Sequence, residues 1–316
     1  MRAIAHALLL ALLVLLAAQV AIADDAVPLA LKFAQGDVLN YAISISGAGQ
    51  LSVAGSESTG IAVQGSCTFS QTAVQVNEDG SAVLETLMPQ ADFTVTIKNQ
   101  QARFSYADGK LRWFTDGKEQ TPPQADLSKA PLLQSPLRVT TKPDGSVTDI
   151  AFSDTELLEM LRKAVPGLDK AMLGPGMPAV SSAPVLPASP VKVGETWTRT
   201  HQVPLGPNQR LDCEMRRALE SVTKQGGLEI AKIVGSGEAR FRGNPKLAAP
   251  GGQPVDVSIA DLRQTFGSTE FFNLTTGRLI RGDYDIRFNT KLAVAMAGQG
   301  QTGSLDLRIL ASVVAR

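Results

Sequence analysis

The feature of this sequence that most constrains its fold is a two-residue alternation of apolar and polar side chains. In the segment GDYDIRFNTKLAV, Tyr284, Ile286 and Phe288 alternate with Asp283 and Asp285. Successive side chains of a β-strand point to opposite faces, so this period places the apolar residues together on one face. A sheet with one dry and one wet face is typical of antiparallel strands. We therefore predict a mainly β fold of curved antiparallel sheets, either half-barrel or sandwich-like.

Asp-Gly dipeptides separate the alternating segments. Both residue types tolerate the positive φ angles of a two-residue hairpin turn, so the dipeptide favours a tight reversal between strands. The chain has four such pairs, at Asp79–Gly80, Asp108–Gly109, Asp116–Gly117 and Asp144–Gly145. These turns agree with the strand prediction.

One segment in the middle of the chain is predicted to be helical. Ser153 and Glu156 have capping-box spacing, apolar residues follow at helical intervals, and Pro166 with the next glycine ends the pattern. Residues 171–190 then carry no charge and several prolines. This segment is too apolar for a solvated linker, and we expect an extended strap partly laid on the surface.

The first 23 residues are predicted to be a secretory signal peptide. Arg2 supplies a positive start, residues 7–18 an apolar core, and Ala21 to Ala23 a small-x-small cleavage site. The core is too short to span a bilayer comfortably, and no later segment is long and apolar enough. We expect an exported mature protein, periplasmic or extracellular, that is not an integral membrane protein.

The chain has two similar openings. Lys32-Phe33 to Asp37 resembles Lys192-Val193 to Glu195, with two extra residues in the first copy. This similarity predicts two related β units, although a chance match between sequence patterns common to all β-hairpins is an open alternative. The predicted organisation is a signal peptide (1–23), an N-terminal β unit (24–150), a helix with a proline-rich linker (151–190) and a C-terminal β unit (191–316).

The residues of the second opening, LPASPVKVGETW, are interpreted as having structural roles. Pro190 keeps the preceding residue extended, Gly194 allows a bend at the strand start, and Trp197 is placed to cap the core. The phrase resembles one in uncharacterised exported bacterial proteins grouped as a domain of unknown function. There Pro-x-x-Pro-Val-x-Val-Gly-Asp/Glu-x-Trp follows a helix and a proline-rich segment, and the match here is Pro187, Pro190, Val191, Val193, Gly194, Glu195 and Trp197.

That resemblance implies export and a β-rich fold, and it brings no activity. The opening from Lys32 to Val38 is similar to theirs as well. At the level of fold alone, a curved sheet with a helix is similar to the half-barrels of periplasmic lipoprotein carriers. Fold-level analogy gives little support to a function.

Charge and aromatic content argue against several classes of partner. The 30 basic and 30 acidic residues cancel, which gives no electrostatic basis for binding nucleic acid or an anionic membrane. Aromatic residues make up 5% of the chain, a low value for a carbohydrate-binding surface or for the aromatic girdles of outer-membrane strand proteins.

Cys67 and Cys213 are candidates for a disulfide. An oxidising compartment favours a bridge between two surviving cysteines. Each cysteine is followed two residues later by an apolar side chain, so each is predicted to face inward on a strand. Two separate buried thiols are the open alternative.

No constellation of catalytic or metal-binding residues is recognisable. The mature chain has one histidine, His201, which we interpret as a surface residue, and no zinc or calcium spacing. The segment GQGQTG (298–303) matches a dinucleotide fingerprint by letter, but it lies between strands and not before a helix. Asp283 and Asp285 share a strand face, as paired catalytic carboxylates would, yet Arg281 and Arg287 flank them. We expect no cofactor and no metal.

Two functional hypotheses follow. The first is an exported, non-enzymatic binding or interaction module of the bacterial cell envelope. It would hold an apolar ligand in the concavity of a curved sheet, on faces such as Ile43/Ile45 and Leu292/Val294/Met296, or contact an envelope protein through its sheet edges or strap. The alternative is a secreted hydrolase with a dispersed acidic site. The sequence favours the first.

Overall fold

The computed structural model describes residues 26–54, 57–120, 136–152, 185–206, 209–242, 246–247, 255–296 and 299–316. The predicted signal peptide and the predicted helix that begins at Ser153 lie outside these ranges. Within them the regular structure consists of strands and no helix is found, which confirms the mainly β prediction. None of these residues belongs to a helix long and apolar enough to cross a bilayer.

Fifteen strands are present in the described ranges. In chain order they are β1 Val38–Val53, β2 Thr59–Val76, β3 Ala82–Ile97, β4 Gln100–Ala107, β5 Lys110–Thr115, β6 Lys118–Gln120, β7 Leu137–Thr141, β8 Val147–Phe152, β9 Thr196–Gly206, β10 Gln209–Gln225, β11 Leu228–Arg242, β12 Lys246–Leu247, β13 Val255–Asn273, β14 Arg278–Met296 and β15 Gln299–Ala315.

All of these strands belong to one antiparallel sheet. Its main path runs β6-β5-β4-β3-β2-β1-β15-β14-β13-β11-β10-β9, while β7, β8 and β12 pair outside this path. The first and last strands of the chain, β1 and β15, are hydrogen-bonded neighbours. The described strands of the two predicted β units are therefore parts of a single continuous sheet, and its path is open between β6 and β9.

The alternation read from the sequence sets the two faces of this sheet. On β1, Tyr41 and Ile43 are buried while Ser44 and Ser46 are exposed. On β15, Val313 is buried on the same face as Tyr41 and Ile43, with which it forms part of one core cluster. We call the side of these apolar residues the dry face and the opposite side the wet face.

Two extended segments cover part of the dry face. Leu29 from the first opening and Leu186 from the end of the strap pack with Leu219, Ile233 and Phe272 of β10, β11 and β13. Val27 and Val191 exchange backbone hydrogen bonds of 2.8 and 3.0 Å, which join the two segments. In the described end of the strap, residues 185–187 are buried and residues 188–190 are exposed, which is consistent with a strap partly laid on the surface.

The strap end is held by polar contacts as well as by apolar packing. The backbone N–H of Leu186 donates to the carbonyl of Asp144 (2.9 Å), and the indole N–H of Trp197 donates to the carbonyl of Val185 (3.1 Å). Arg199 forms a 2.7 Å ion pair with Asp144 and also donates to the carbonyl of Leu186. Trp197 therefore fastens the strap against β9.

The two openings contain the same turn. Gly36 and Gly194 have φ angles of +86° and +90°, which glycine adopts without strain. The side chains of Asp37 and Glu195 each accept a 2.9 Å hydrogen bond from the backbone N–H three residues earlier. The backbone N–H groups of Gly36 and Gly194 donate, each at 2.8 Å, to backbone carbonyls on β2 and β10 respectively.

The similarity extends to the strands that receive these turns. The glycine N–H groups bond Ala73 on β2 and Leu219 on β10, and a register irregularity follows each of these residues. That the two halves are copies of one unit stays a prediction, and these matched contacts are consistent with it.

The Asp-Gly pairs form two kinds of turn. Asp108–Gly109 and Asp116–Gly117 have positive φ at both residues and close two-residue hairpins, as predicted. At Asp79 and Asp144 only the following glycine has positive φ. There the aspartate side chain accepts hydrogen bonds of 3.0 and 2.6 Å from the backbone and hydroxyl of a serine two residues later.

Replacing the buried strap residue tests how much this segment stabilises the sheet. Leu186 is 0% exposed, so Leu186→Ala should lower the free energy of unfolding by about 2–5 kcal/mol through lost burial and a cavity. Urea denaturation of the mature protein measures the loss. Ser189→Ala, in the same segment and exposed, is the control. Equal stability of the two variants would contradict this packing.

Candidate functional site

A large concavity lies on the wet face, in the middle of the sheet. Its volume is about 1090 Å³, and its lining comes from seven neighbouring strands, β3, β2, β1, β15, β14, β13 and β11. One cavity shared by so many neighbours means that the wet face is concave there. We call this feature the groove.

Small hydroxyl side chains recur along the groove. Because paired residues in antiparallel strands lie side by side, Ser66, Ser44, Ser312 and Thr269 belong to one row across the sheet, interrupted only by Asp283. The lining residues that carry hydroxyls on the wet face are Ser44, Ser46, Ser66, Thr94, Thr269 and Ser312. Short side chains leave the floor of the groove low and rich in hydrogen-bonding groups.

A second row lies beside the first. It contains Gln64, Ser46, Leu310, Asp285 and Gly267 on successive strands. Leu310 is the exposed apolar residue of this row, and nothing lies closer than 3.9 Å to the position of a Cβ at Gly267. The absence of a side chain at this glycine keeps the groove open where it meets β13.

The carboxylates of the groove are neutralised by arginines. Arg308 donates two hydrogen bonds, of 2.9 and 2.8 Å, to the two oxygens of Asp285. Asp283 pairs with Arg281 at 2.9 Å and accepts a 2.8 Å hydrogen bond from Ser312. The hydrogen bonds from Arg308 hold the pKa of Asp285 below its usual range, so this carboxylate stays ionised.

This geometry bears on the acidic site considered for a hydrolase. A general acid needs a carboxyl whose pKa is raised towards neutrality. In the described part of the chain, every aspartate or glutamate with a resolved shift has a lowered pKa. Asp283 and Asp285 therefore form an ion-paired strand face, as the flanking arginines suggested.

The apolar faces proposed for ligand binding serve other purposes where they are described. Ile43 is buried in a core cluster with Tyr41, Val313 and Leu279, and Ile45 packs against that cluster. The side chains of Leu292, Val294 and Met296 lie outside the described residues. Most side chains that line the groove lie on the opposite, polar face of the same strands, and Ile45 is the described apolar residue of β1 that borders it.

An ion pair buried behind the groove was not anticipated from the sequence. Arg217 on β10 and Glu270 on β13 are 5% and 0% exposed and form a direct salt bridge. The hydroxyl of Tyr284 lies beside this carboxylate, and burial together with the negative charge of Glu270 raises its pKa well above the usual value. Among the described residues, Arg217 Nε, Glu270 Oε1 and Ser268 Oγ have no hydrogen-bond partner.

A sequence signal for this pair was present but ambiguous. Glu270 interrupts the apolar run of TEFFNL, and Arg217 stands among the charged residues EMRR. Alternation places both on the dry face, beside Phe272 and Met215 respectively. Only the strand order brings them together, because β10 and β13 are both neighbours of β11.

The other candidate residues are dispersed over the fold. His201 lies on β9 opposite Cys213, and its side chain is outside the described part. Within the ranges that the structure covers, no group of three or more His, Cys, Asp or Glu side chains is placed to hold a metal ion. The GQGQTG segment was expected to be a loop, but residues 299–303 belong to β15, because the β14–β15 ladder continues up to the pair Met296 and Gln299.

The two cysteines are free thiols in this structure. Cys67 lies on β2 and Cys213 on β10, six strand positions apart in the sheet order, which is about 29 Å along the sheet at the usual strand spacing. A disulfide needs Cα atoms within about 7 Å. Burial raises the pKa of each thiol to about 11, and the charge of Asp212 contributes at Cys213.

The residues of the structural motif lie near the strap. Pro190 is exposed, Gly194 occupies the positive-φ turn already described, and Trp197 packs against the core at Leu186 and Val191. These three positions connect the strap end to β9 and lie away from the groove.

Comparison with known proteins identifies no relative. No protein-family model matches the chain, and no curated protein matches it. Among solved structures, OpdQ of Pseudomonas aeruginosa aligns with 8% identity over 88% of this chain and 99% of its own, with a TM-score of 0.23.

Two further structures give similar values. An outer membrane channel from Pseudomonas putida F1 aligns with 8% identity, 90% and 97% coverage and a TM-score of 0.23. OccK5 (OpdH) of Pseudomonas aeruginosa aligns with 8% identity, 89% and 98% coverage and a TM-score of 0.22. TM-scores this low do not establish a common fold, so nothing about this chain follows from them.

The buried ion pair should respond differently to single and double replacement. Glu270→Leu leaves the Arg217 charge buried without its counter-ion and should cost about 3–5 kcal/mol of unfolding free energy. Arg217→Met with Glu270→Leu removes both charges and should cost less than the single variant. Chemical denaturation measures both. Glu85→Leu, which breaks the exposed pair with Arg138, should cost no more than about 1 kcal/mol.

Alkylation tests the state of the cysteines. A thiol pKa of about 11 leaves little thiolate at neutral pH, so native protein should take up iodoacetamide slowly. In denaturant without reductant, intact-mass spectrometry should show two labels on protein purified from the exported compartment. An unlabelled mass that gains two labels only after reduction would instead establish the Cys67–Cys213 bridge.

Proposed function

We propose that the mature protein is an exported, non-enzymatic binding module of the bacterial cell envelope, and that its groove holds a polar ligand. The observation on which this depends is a concavity of about 1090 Å³ whose lining includes two rows of small hydroxyl side chains. Hydroxyls both donate and accept hydrogen bonds, and they suit a ligand that presents many polar groups.

The position of the groove favours a polar ligand over the apolar one first expected. Its charged lining, Asp92, Asp283, Asp285 and Arg308, would be desolvated at a cost by an apolar molecule. Its one strongly exposed aliphatic side chain is Leu310. A polar ligand can replace the water on these groups with hydrogen bonds of its own.

The arrangement gives no support to the hydrolase alternative. The lowered pKa of Asp285 and the arginine partners of all three groove aspartates suit charge neutralisation and not proton transfer. Within the described end of the strap, Val185 and Leu186 are buried and not available to an envelope partner.

Native mass spectrometry of the mature protein, Asp24 to Arg316, tests the proposal. Protein purified gently from its compartment should carry a polar compound, visible as an added mass. Ser44→Leu places a bulky apolar side chain in the middle of the groove and should abolish the added mass. Ser304→Leu is the control, since Ser304 is exposed on the same face of β15 but outside the groove.

Three results would contradict the proposal. The first is a protein that emerges without any bound compound. The second is an added mass that Ser44→Leu leaves unchanged. The third is a co-purifying compound that is a purely apolar lipid chain, which would support the apolar ligand first expected from the sequence. Circular dichroism of both variants shows whether the sheet is intact.

A further inference from the structure

Four arginines lie together on the wet face, next to the groove. Arg240 on β11 is directly opposite Arg263 on β13, and Arg287 on β14 is directly opposite Arg308 on β15. Their side chains are 52 to 62% exposed. We call them the arginine quartet. Like charges in directly opposed positions destabilise a sheet unless counter-ions offset them.

Two carboxylates offset the charge of the quartet without cancelling it. Glu238 pairs with Arg240 and, at 3.1 Å, with Arg263. Asp285 pairs with Arg308 at 2.8 Å and with Arg287 at 3.7 Å. Each acid is therefore shared by two arginines, and hydrogen bonds from these arginines lower the pKa of both Glu238 and Asp285. Both acids stay ionised, and the six side chains keep an excess of two positive charges.

The quartet borders a second depression in the sheet surface. This cavity, of about 610 Å³, is lined by Arg263 and Arg287, with Lys291 as a further cation and Asp306 as an acid. Thr265 and Asn289 add uncharged hydrogen-bonding groups. Arg308 lies at the boundary, because it also lines the groove. Guanidinium groups offer several fixed donors each, so an anion placed here would meet donors from more than one strand.

We infer that the arginine quartet is a docking surface for an anionic polysaccharide. The contact would be made with the charged groups of the polymer, so it does not need the aromatic stacking surface that the 5% aromatic content argues against. The quartet extends over three strand spacings, about 14 Å, which suits a chain with repeated carboxylate or sulfate groups better than one small ion. The neighbouring groove offers hydroxyls that match sugar hydroxyls. This inference goes beyond the proposed function, since three of the four arginines lie outside the groove.

Other polyanions fit the surface less well. The whole chain carries 30 basic and 30 acidic residues, so it lacks the general positive field that draws proteins to nucleic acid or to an anionic bilayer. A bilayer would also meet acidic side chains among the arginines, at Glu238 and Asp285. A flexible polymer can place its charges over the guanidinium groups and avoid the carboxylates.

The test uses dextran sulfate as the probe and unsulfated dextran as its neutral counterpart, with binding to the mature protein measured by calorimetry. Dextran sulfate should bind, more weakly as salt rises, and dextran should not. Arg263→Gln with Arg287→Gln should weaken binding by about a hundredfold, or about tenfold per charged contact. Glu238 and Asp285 keep Arg240 and Arg308 as partners in this variant, so the fold is preserved.

A charge-matched variant separates the site from net charge. Arg112→Gln with Arg138→Gln removes two equally exposed arginines, each paired with a glutamate, far along the sheet. It should bind dextran sulfate as the parent does. Equal weakening in both double variants would overturn the inference, as would the absence of dextran sulfate binding.

Two further outcomes identify a different partner. Binding to phosphatidylglycerol vesicles or to duplex DNA that matches or exceeds binding to dextran sulfate would overturn the polysaccharide assignment.

Ser44→Leu distinguishes this inference from the proposed function. If this variant loses its co-purifying compound but still binds dextran sulfate, the quartet and the groove act separately. If dextran sulfate binding is lost only in Ser44→Leu, the groove is the site and the quartet is not.

Discussion

The pairing of β1 with β15 is the constraint on which the rest of this structure depends. Thirteen residue pairs, from Tyr41 with Ala315 to Val53 with Gly303, align the first strand with the last. A slip of one residue would turn every side chain of β1 to the wrong face. The register sets Ile43 opposite Val313 in the core and Ser44 opposite Ser312 in the groove, so one alignment creates both the hydrophobic core and the polar site.

Glycines allow these two strands to meet closely. A Cβ at Gly47 would lie 2.8 Å from the carbonyl oxygen of Arg308. Any larger residue there would push β1 away from β15, in the strand pair at the centre of the groove. Small residues therefore have two roles on these strands. Glycines such as Gly47 permit tight pairing with β15, and the short hydroxyl residues of the groove leave its floor open to a ligand.

Polar groups are treated in opposite ways on the two faces. On the dry face, Arg217 and Glu270 are buried together, and loss of one charge would leave the other without a counter-ion. On the wet face, arginines outnumber the acids with which they pair in the quartet, and solvent screens the remaining repulsion. The first arrangement holds β10 and β13 together across β11. The second arrangement leaves an excess of positive charge at the surface, and this is why we assign it to binding.

Local signals in the sequence determined much of the fold. Alternation established the strands and their two faces, because side-chain direction depends only on the strand period. The Asp-Gly turns at 108–109 and 116–117 followed from backbone preferences of two residues. The shared turn at Gly36 and Gly194 was visible as two similar openings. The strap was recognised, but its apolar composition did not distinguish a surface position from the burial found at Leu186.

Only the tertiary structure decided which strands are neighbours. Alternation makes any two amphipathic strands compatible, so it could not pair Tyr41 with Ala315 or bring Arg217 to Glu270. The groove and the arginine quartet depend on that choice, because their residues come from strands far apart in the chain. The sequence by itself determined what each strand presents to either side. The sheet order decided what those side chains form together, because hydrogen-bonded pairing between distant segments is fixed by the packing of the whole sheet.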